Sequence, residues 1–165
     1  MVDNIKPLPE DLSPRLEDYL EMVYLLSEKN KVARVKDLAD TLSVKKASVV
    51  NALKQLENKN YITHEKYSYV ELTNHGRETA MQIYQRHVLL TNFFKNILNI
   101  DPKIAEENAC RIEHYLDYQV LNRLLKFIDF IEECPQGEPY WLSSFFKYIE
   151  TGKRPEDCGK YHKGE

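Results

Sequence analysis

The sequence predicts a mostly α-helical protein whose run of helices is interrupted by a short β-hairpin. Apolar side chains recur every three or four residues over several long stretches, which is typical of amphipathic helices. Apolar and polar side chains alternate on either side of Tyr67-Ser68, which indicates a hairpin. A short helix, a tight turn and a longer helix come directly before it. This order is that of a winged helix-turn-helix, and we expect the rest of the chain to be all-helical.

Turn and capping residues divide the N-terminal part of the chain. Ser13-Pro14 suits the N-cap and first position of a helix, because proline already has the φ that the first turn needs. The longer helix of the pair places Val49, Ala52, Leu53 and Leu56 on one face. We expect, in chain order, a loose arm over 1–12, a helix over 14–28, an extended piece over 33–35 that can pair with a later strand, helices over 36–42 and 46–59, and strands over 61–66 and 69–73.

The C-terminal part also carries helix-start signals. Thr73, Asp101 and Asp117 are candidate N-caps, and the proline-rich segment 134–139 breaks the helical pattern. We expect helices over 74–98, 102–116, 118–133 and 140–150, the last ended by Gly152. These boundaries predict a winged helix-turn-helix domain over 1–76, a helical domain over 77–150 and a polar tail over 151–165.

Composition excludes several classes of protein. The 165 residues suit one domain, or two small domains that share a core. Charges interrupt every apolar run well before about 18 residues, so no membrane span is predicted, and the first residues carry no secretory signal. Three cysteines are too few for a disulfide framework, and a reducing cytoplasm is the expected location.

The net charge of −3 conceals an uneven distribution. Residues 1–28 carry −5, residues 29–66 carry +5 and residues 67–165 carry −3. The basic block coincides with the winged helix-turn-helix, where basic and small polar side chains at the start of the second helix can enter a DNA major groove. A helical hairpin with a solvated charged face is the competing interpretation. The candidate DNA-binding residues are Arg34, Lys45, Lys46, Ala47, Ser48, Asn51, Lys66 and Tyr67.

A second set of residues has the composition of a metal site. Asp18 and Glu21 share a face of the first helix, and Cys110, Glu113 and His114 share a face of a later one. His87 lies in an apolar stripe. Nitrogen, oxygen and sulfur donors of this kind suit Fe²⁺, Mn²⁺, Co²⁺ or Zn²⁺. Taken singly, each residue also suits a structural role: a core histidine, a solvated helix start or a small apolar filler.

Longer stretches of the sequence resemble the diphtheria toxin repressor family of metal-dependent regulators, in particular its two-domain branch without an SH3-like domain. The resemblance covers roughly residues 13–139. The residues that carry it are Leu16-Glu17-Asp18-Tyr19-Leu20-Glu21, Ala33-Arg34-Val35-Lys36-Asp37-Leu38-Ala39, Ser48-Val49, Glu65-Lys66-Tyr67, Leu72-Thr73-Asn74-His75-Gly76, Arg86-His87 and Cys110-Arg111-Ile112-Glu113-His114.

The resemblance implies a homodimeric, metal-activated repressor that binds operator DNA and controls iron or manganese uptake genes. The implied metal ligands are Asp18, Glu21, His87, Cys110, Glu113 and His114. A cysteine at 110 is typical of iron-type members, while Asp18 and Glu21 are typical of manganese-type members. Because thiolate is a soft ligand, we expect Fe²⁺ first and Mn²⁺ next, with Zn²⁺ and Co²⁺ also suited.

Two departures from the family pattern limit what can be transferred. Thr91 stands where many relatives carry a glutamate of an accessory metal site, and Lys46 stands where relatives often have proline or a small residue. The sequence therefore leaves open the number of ions and the operator sequence. Cys134, Cys158 and His162 are either unrelated or a further metal or disulfide cluster.

Three alternatives to a metal-activated repressor stay open at this point. The first is a metal-independent winged-helix regulator that responds to a small organic ligand. The second is a metalloenzyme in which Glu113 acts as a general base beside a metal-bound water. The third is a structural oligomerisation module, against which the basic block argues.

Overall fold

The structure is a computed structural model that describes residues 5–64, 69–135 and 139–155. The predicted DNA-binding residues Lys66 and Tyr67 lie outside the described residues, as do Cys158 and His162 of the candidate C-terminal cluster.

Helices account for most of the described chain, and a two-stranded antiparallel sheet follows the third helix. The predicted fold class is confirmed. The elements are α1 (Pro14–Asn30), α2 (Val35–Thr41), α3 (Lys46–Asn58), β1 (Ile62–His64), β2 (Val70–Leu72), α4 (Asn74–Asn92), a π-helical continuation of α4 (Phe93–Ile97), α5 (Pro102–Ile112), α6 (Tyr118–Glu132) and α7 (Tyr140–Thr151).

The core of the winged helix-turn-helix contains the apolar face that was predicted for α3. Val49, Ala52, Leu53 and Leu56 are all buried, in one core with residues of α1, α2 and the hairpin. Strands β1 and β2 pair in antiparallel register, and Ala33 adds an isolated bridge to Val70. The extended piece before α2 thus completes a small sheet, as predicted.

Helix α4 begins against the hairpin. The Thr73 hydroxyl oxygen accepts a hydrogen bond from the Gly76 backbone N–H at 2.9 Å, so Thr73 is the predicted cap. A Cβ at Gly76 would overlap the carbonyl oxygen of Tyr61. The glycine therefore allows the first turn of α4 to lie directly on the backbone that leads into β1.

The same helix connects the two halves of the molecule. Its first part packs against α1, and its later part packs against α5 and α6. Leu89 and Leu90 belong to a second core with Ala109, Leu121 and Leu125. Because one continuous helix contributes to both cores, it fixes the place of α1 relative to the helical half.

The N-terminal residues do not form the loose arm that the sequence predicted. Ile5 is 2% exposed in the second core, whereas Leu12 is buried in the first. The Lys6 backbone N–H donates to Gln82 Oε1 at 2.7 Å, and the Arg86 guanidinium donates to the Lys6 carbonyl oxygen at 3.1 Å. Residues 5–12 therefore form a strap that joins both cores. The prediction missed it because single apolar residues among prolines give no periodic signal.

Two further boundaries differ from the prediction. Helix α5 ends at Ile112 and not at 116, so Glu113 and His114 follow the helix rather than lie on it. The predicted helix over 74–98 changes from α to π geometry at Phe93. Its last residues, Phe93 and Ile97, contribute to a third small core with Leu142 of α7.

The strap leads to a testable expectation for stability. Ile5→Ala removes buried apolar volume from the second core, and such truncations cost about 2–5 kcal/mol. We expect a loss of unfolding free energy of about 2 kcal/mol in denaturant titrations, because the strap can detach without unfolding the rest. Val120→Ala on α6 is the matched control, since Val120 is 45% exposed. Equal stability of the two variants would show that the strap contributes nothing.

Candidate metal centre and nucleic-acid interface

The second turn of α1 supplies the first carboxylates of the candidate metal centre. Asp18 and Glu21 are three residues apart and project from the same side of the helix towards α5. Glu21 is buried, whereas the Asp18 side chain is 42% exposed. Leu16, Leu20 and Val23 anchor this part of α1 in the first core, so the carboxylates are presented by a rigid element.

The end of α5 supplies the donors that face them. Although the helix ends at Ile112, Glu113 keeps helical backbone angles (φ −58°, ψ −31°), and its N–H donates to the Ala109 carbonyl oxygen. Cys110 and Glu113 therefore still lie one turn apart. Glu113 is fully buried, and Cys110 is exposed.

Two groups of potential ligand atoms meet at Glu113. One group contains Asp18, Cys110 and Glu113, and the other contains Glu21, His87 and Glu113. Within each group the ligand atoms lie within 4.8 Å of one another. Because a carboxylate has two oxygens, Glu113 can serve both groups. One of these oxygens, Oε2, lies 2.8 Å from His87 Nδ1, within hydrogen-bonding distance.

His114 joins the same carboxylates from the other side. Its Nε2 lies 2.8 Å from Asp18 Oδ1 and 3.3 Å from Glu113 Oε1. The structure thus brings all six predicted ligands together. Glu113 Oε1 is buried and has no hydrogen-bond partner of good geometry among the described residues. A buried carboxylate oxygen without a donor is what a cation site requires.

The sequence analysis missed one charged residue of this cluster. Glu17 is 6% exposed, and its Oε2 lies 2.6 Å from His114 Nδ1. The available signal was its spacing: Glu17 and Glu21 are four residues apart and so share a face of α1. Only Asp18 and Glu21 were predicted as ligands on α1, and Glu17 was assigned no role.

The pKa values of several cluster residues are raised, either by burial and neighbouring carboxylates or by hydrogen bonds to carboxylates. Burial, together with the negative charge of Glu113, raises the pKa of Glu21 to about 7. Burial and the surrounding carboxylates raise the pKa of Cys110 to about 11. Burial disfavours the charged form of His114, but its hydrogen bonds to Asp18 and Glu17 outweigh that effect and raise its pKa to about 10. The hydrogen bond to Glu113 likewise raises the pKa of His87.

An open groove of about 840 Å³ leads to this cluster. Its lining includes three of the predicted ligands, Glu21, His87 and Cys110, together with Glu106 and Thr91. The groove gives an ion a route from solvent to the buried ligands. Thr91, at the position where relatives carry an accessory glutamate, adds a hydroxyl and no charge.

The candidate DNA-binding residues lie on one side of the winged helix-turn-helix. Lys45, Lys46, Ala47 and Asn51 are exposed at the start of α3, and Ser48 is half-buried beside them. The guanidinium of Arg34 lies 5.0 Å from the ring centre of Tyr69, which directly precedes β2. Arg34 is therefore associated with the hairpin, while the lysines are free to meet phosphates.

Comparison with known proteins identifies the family. Residues 11–70 match the N-terminal DNA-binding domain of the iron-dependent repressors, and residues 73–142 match their metal-binding and dimerisation domain. The chain belongs to the iron-dependent repressor family. The resemblance to the diphtheria toxin repressor family is confirmed, as is the prediction of a transcriptional regulator rather than an enzyme.

Individual relatives of this iron-dependent repressor family member agree with the assignment. The transcriptional regulator MntR of Listeria monocytogenes is 34% identical over 141 residues, covering 86% of this chain and 95% of the relative. An uncharacterized HTH-type regulator of Methanocaldococcus jannaschii is 36% identical over 119 residues, covering 72% of this chain and 95% of the relative.

Solved structures show the same fold. The manganese regulator SloR superposes with a TM-score of 0.64 at 31% identity, covering 75% of this chain and 58% of that one. IdeR of T. acidophilum superposes with a TM-score of 0.61 at 24% identity, covering 82% of this chain and 60% of that one. The chain thus spans about three fifths of the length of these solved proteins.

No helix in the described part of the chain is both long and apolar enough to cross a membrane.

The raised pKa values predict how metal affinity depends on pH. His114 carries a displaceable proton below about pH 10, and the Cys110 thiol carries one below about pH 11. Glu21 adds a third below about pH 7. A metal ion that binds these three groups must displace the protons they carry. Affinity for Co²⁺ should therefore rise with pH by about a hundredfold per unit between pH 7 and 9, and more steeply below pH 7, because each displaced proton contributes about one decade. Competition titrations against a chelator measure this slope.

Cys110→Ser tests the contribution of the thiol to that slope. The variant should lose about one decade per pH unit between pH 7 and 9, since one fewer proton is displaced. Cys134→Ser is the matched control, because Cys134 is a free, half-buried thiol that belongs to neither ligand group. An identical slope in the wild type and Cys110→Ser would show that the thiol does not bind the ion as thiolate.

Proposed function

We propose that this iron-dependent repressor family member is a cytoplasmic repressor that binds a divalent transition metal and then operator DNA as a homodimer, and that it controls iron or manganese uptake genes. One observation carries the proposal. Glu113 joins two groups of ligand atoms drawn from α1, which belongs to the winged helix-turn-helix, and from α4 and α5, which belong to the helical half. A site of this composition links the DNA-binding part of the chain to the rest.

The residues that would hold the ion are Asp18, Glu21, His87, Cys110, Glu113 and His114. A bound divalent cation supplies the positive charge that this concentration of carboxylates lacks. Without that charge, Asp18 and Glu21 on α1 repel Glu113 on the opposing segment, which favours a looser association of α1 with α5. With the carboxylates neutralised, α1 is held against α5, and the population shifts towards one orientation of the winged helix-turn-helix.

The ligand set supports Fe²⁺ before Mn²⁺. Carboxylate oxygens accept either ion, but a thiolate from Cys110 favours a softer ion than Mn²⁺. The same set also suits Zn²⁺ and Co²⁺. Cys110 is exposed and lines the groove, so its sulfur is accessible to an arriving ion.

The start of α3 supports the assignment of operator DNA as the partner. Its exposed lysines suit phosphate contacts, and Asn51 suits bidentate hydrogen bonding to adenine in the major groove. The interaction with DNA would therefore involve Arg34, Lys45, Lys46, Ala47, Ser48 and Asn51 of the described residues, and Lys66 and Tyr67, which follow β1 in the sequence.

Exposed aromatic side chains on α6 and α7 support the homodimer. Phe130 is 74% exposed and Trp141 is 45% exposed, whereas Ile97, Leu121 and Ile128 are buried within the chain itself. Residues 93–98 and 121–130 can therefore contribute to a contact between copies only through the members that face outward. We propose that a second copy of this chain covers them.

Paired variants test the proposed function. An operator is first selected from a random duplex library with wild-type protein and Mn²⁺ or anaerobic Fe²⁺. Asp18→Ala should then retain its fold but lose the metal-stimulated part of operator binding, an effect on the scale of about 1–3 kcal/mol. His114→Ala should do the same. Full metal stimulation in both variants would contradict the proposed site.

Lys46→Ala is the matched comparison, because Lys46 lies on α3 and in neither ligand group. It should weaken DNA binding with and without metal, and lower the slope of log affinity against log salt by about one. Its metal affinity in the absence of DNA should equal that of the wild type. An unchanged affinity across salt concentrations would remove Lys46 from the DNA interface.

A further inference from the structure

Glu17 is a buried carboxylate of α1 to which the proposed metal centre gives no role. It is 6% exposed, although a glutamate is rarely buried without a partner. Its partner is His114, whose side chain is 5% exposed. The two residues lie 97 positions apart in the chain. Their contact therefore depends on α4, against which both α1 and α5 pack.

The two nitrogens of the His114 ring face different carboxylates. Nδ1 lies 2.6 Å from Glu17 Oε2, and Nε2 lies between Asp18 Oδ1 and Glu113 Oε1 at 2.8 and 3.3 Å. A carboxylate accepts hydrogen bonds and cannot donate them when ionised. Both ring nitrogens therefore face acceptors. When an ion takes the place of the Nε2 proton, Glu17 keeps the proton on Nδ1, and the lone pair of Nε2 is left to face the ion.

The surroundings hold Glu17 in this position. Leu16 and Leu20, on either side of it in α1, are buried in the first core. The guanidinium of Arg86 is also buried and attracts both Glu17 and Glu113 electrostatically. Since Arg86 donates to the carbonyl oxygen of Lys6, the N-terminal strap fixes its position in turn.

We propose that Glu17 is a positioning residue that orients His114 and selects the tautomer in which Nε2 binds the metal. The inference rests on the proposed metal centre. Carboxylates that hold the second nitrogen of a metal-binding histidine usually improve metal affinity by about 10–100-fold. A purely structural ion pair between Glu17 and His114 would support the fold alone and leave metal affinity and ring tautomer to other groups.

Two substitutions separate positioning from charge. Glu17→Leu removes the acceptor and the charge together, whereas Glu17→Gln removes the charge but retains a carbonyl oxygen that can accept a hydrogen bond from the Nδ1–H group. Zn²⁺ affinity should fall by about 10–100-fold in Glu17→Leu and by clearly less in Glu17→Gln. Tyr19→Phe is the matched control, because Tyr19 also lies buried on α1 and its hydroxyl has no hydrogen-bond partner among the described residues.

The direct readout is NMR of the Zn²⁺-loaded, ¹⁵N-histidine-labelled protein, with His114→Ala to assign the signal. In the wild type and in Glu17→Gln, the Nδ1 proton of His114 should appear as a slowly exchanging resonance, and Nε2 should show the shift of a metal-bound nitrogen. The Nδ1 resonance should disappear through exchange with water in Glu17→Leu. Circular dichroism and thermal melting of the metal-free variants control for loss of the fold.

The outcomes distinguish this inference from the function on which it rests. A wild-type chain that binds no Zn²⁺ overturns the proposed metal centre and this inference with it. A wild-type chain that binds Zn²⁺ through Nδ1, or with Nε2 protonated, overturns the inference alone and needs no variant to fold. Equal losses of affinity in Glu17→Gln and Glu17→Leu would also overturn it, since charge rather than orientation would then account for the effect.

Discussion

Side chains of α1 meet those of Glu113 and His114, which directly follow α5, and this contact brings four carboxylates to one place. The rest of the structure depends on how their charge is balanced. Glu17, Glu21 and Glu113 are buried, and Asp18 lies beside them. Burying like charges is costly unless cations, protons or donors compensate them. His87, His114 and Arg86 supply part of this compensation within the chain. A divalent ion would compensate the remaining negative charge. Its binding would then stabilise the contact between α1 and the residues that follow α5.

Two other features ensure that this local contact has wider consequences. Helix α4 contributes to the core of the winged helix-turn-helix and to the core of the helical half. The N-terminal strap places Ile5 in one core and Leu12 in the other. The two halves are thus already tied together at the strap and along α4. A change in the association of α1 with α5 is therefore expected to act as a limited reorientation of the DNA-binding surface rather than as a separation of domains.

Much of this arrangement could be predicted from sequence because it follows local rules. The buried face of α3, the cap at Thr73 and the pairing of the segment at Ala33 with the hairpin depend on periodicity, capping and alternation within short stretches. The candidate ligands were found because Asp18 with Glu21, and Cys110 with Glu113, have helical spacing. Their convergence needed either the family resemblance or the structure, since nothing within α1 indicates which residue 90 positions away will face it.

The features that sequence reasoning missed all depend on such distant contacts. Ile5 is a single apolar residue in a polar, proline-containing segment, and only the core around Leu89 gives it a place. Helix α5 stops at Ile112 although the residues that follow continue the helical spacing. Glu17 appeared to be one of several acidic residues on α1, and its role became visible only through the position of the His114 ring.

The most direct test of the account is hydrogen–deuterium exchange of the full-length chain with and without Co²⁺. If the ion links α1 to the end of α5, backbone amides of residues 16–26 and of residues 109–116 should gain protection together, over the same range of metal concentration. Asp18→Ala should abolish the gain in both segments. Protection confined to residues 109–116, with α1 unchanged at saturating metal, would contradict the account, because the ion would then bind without connecting the DNA-binding part to the helical half.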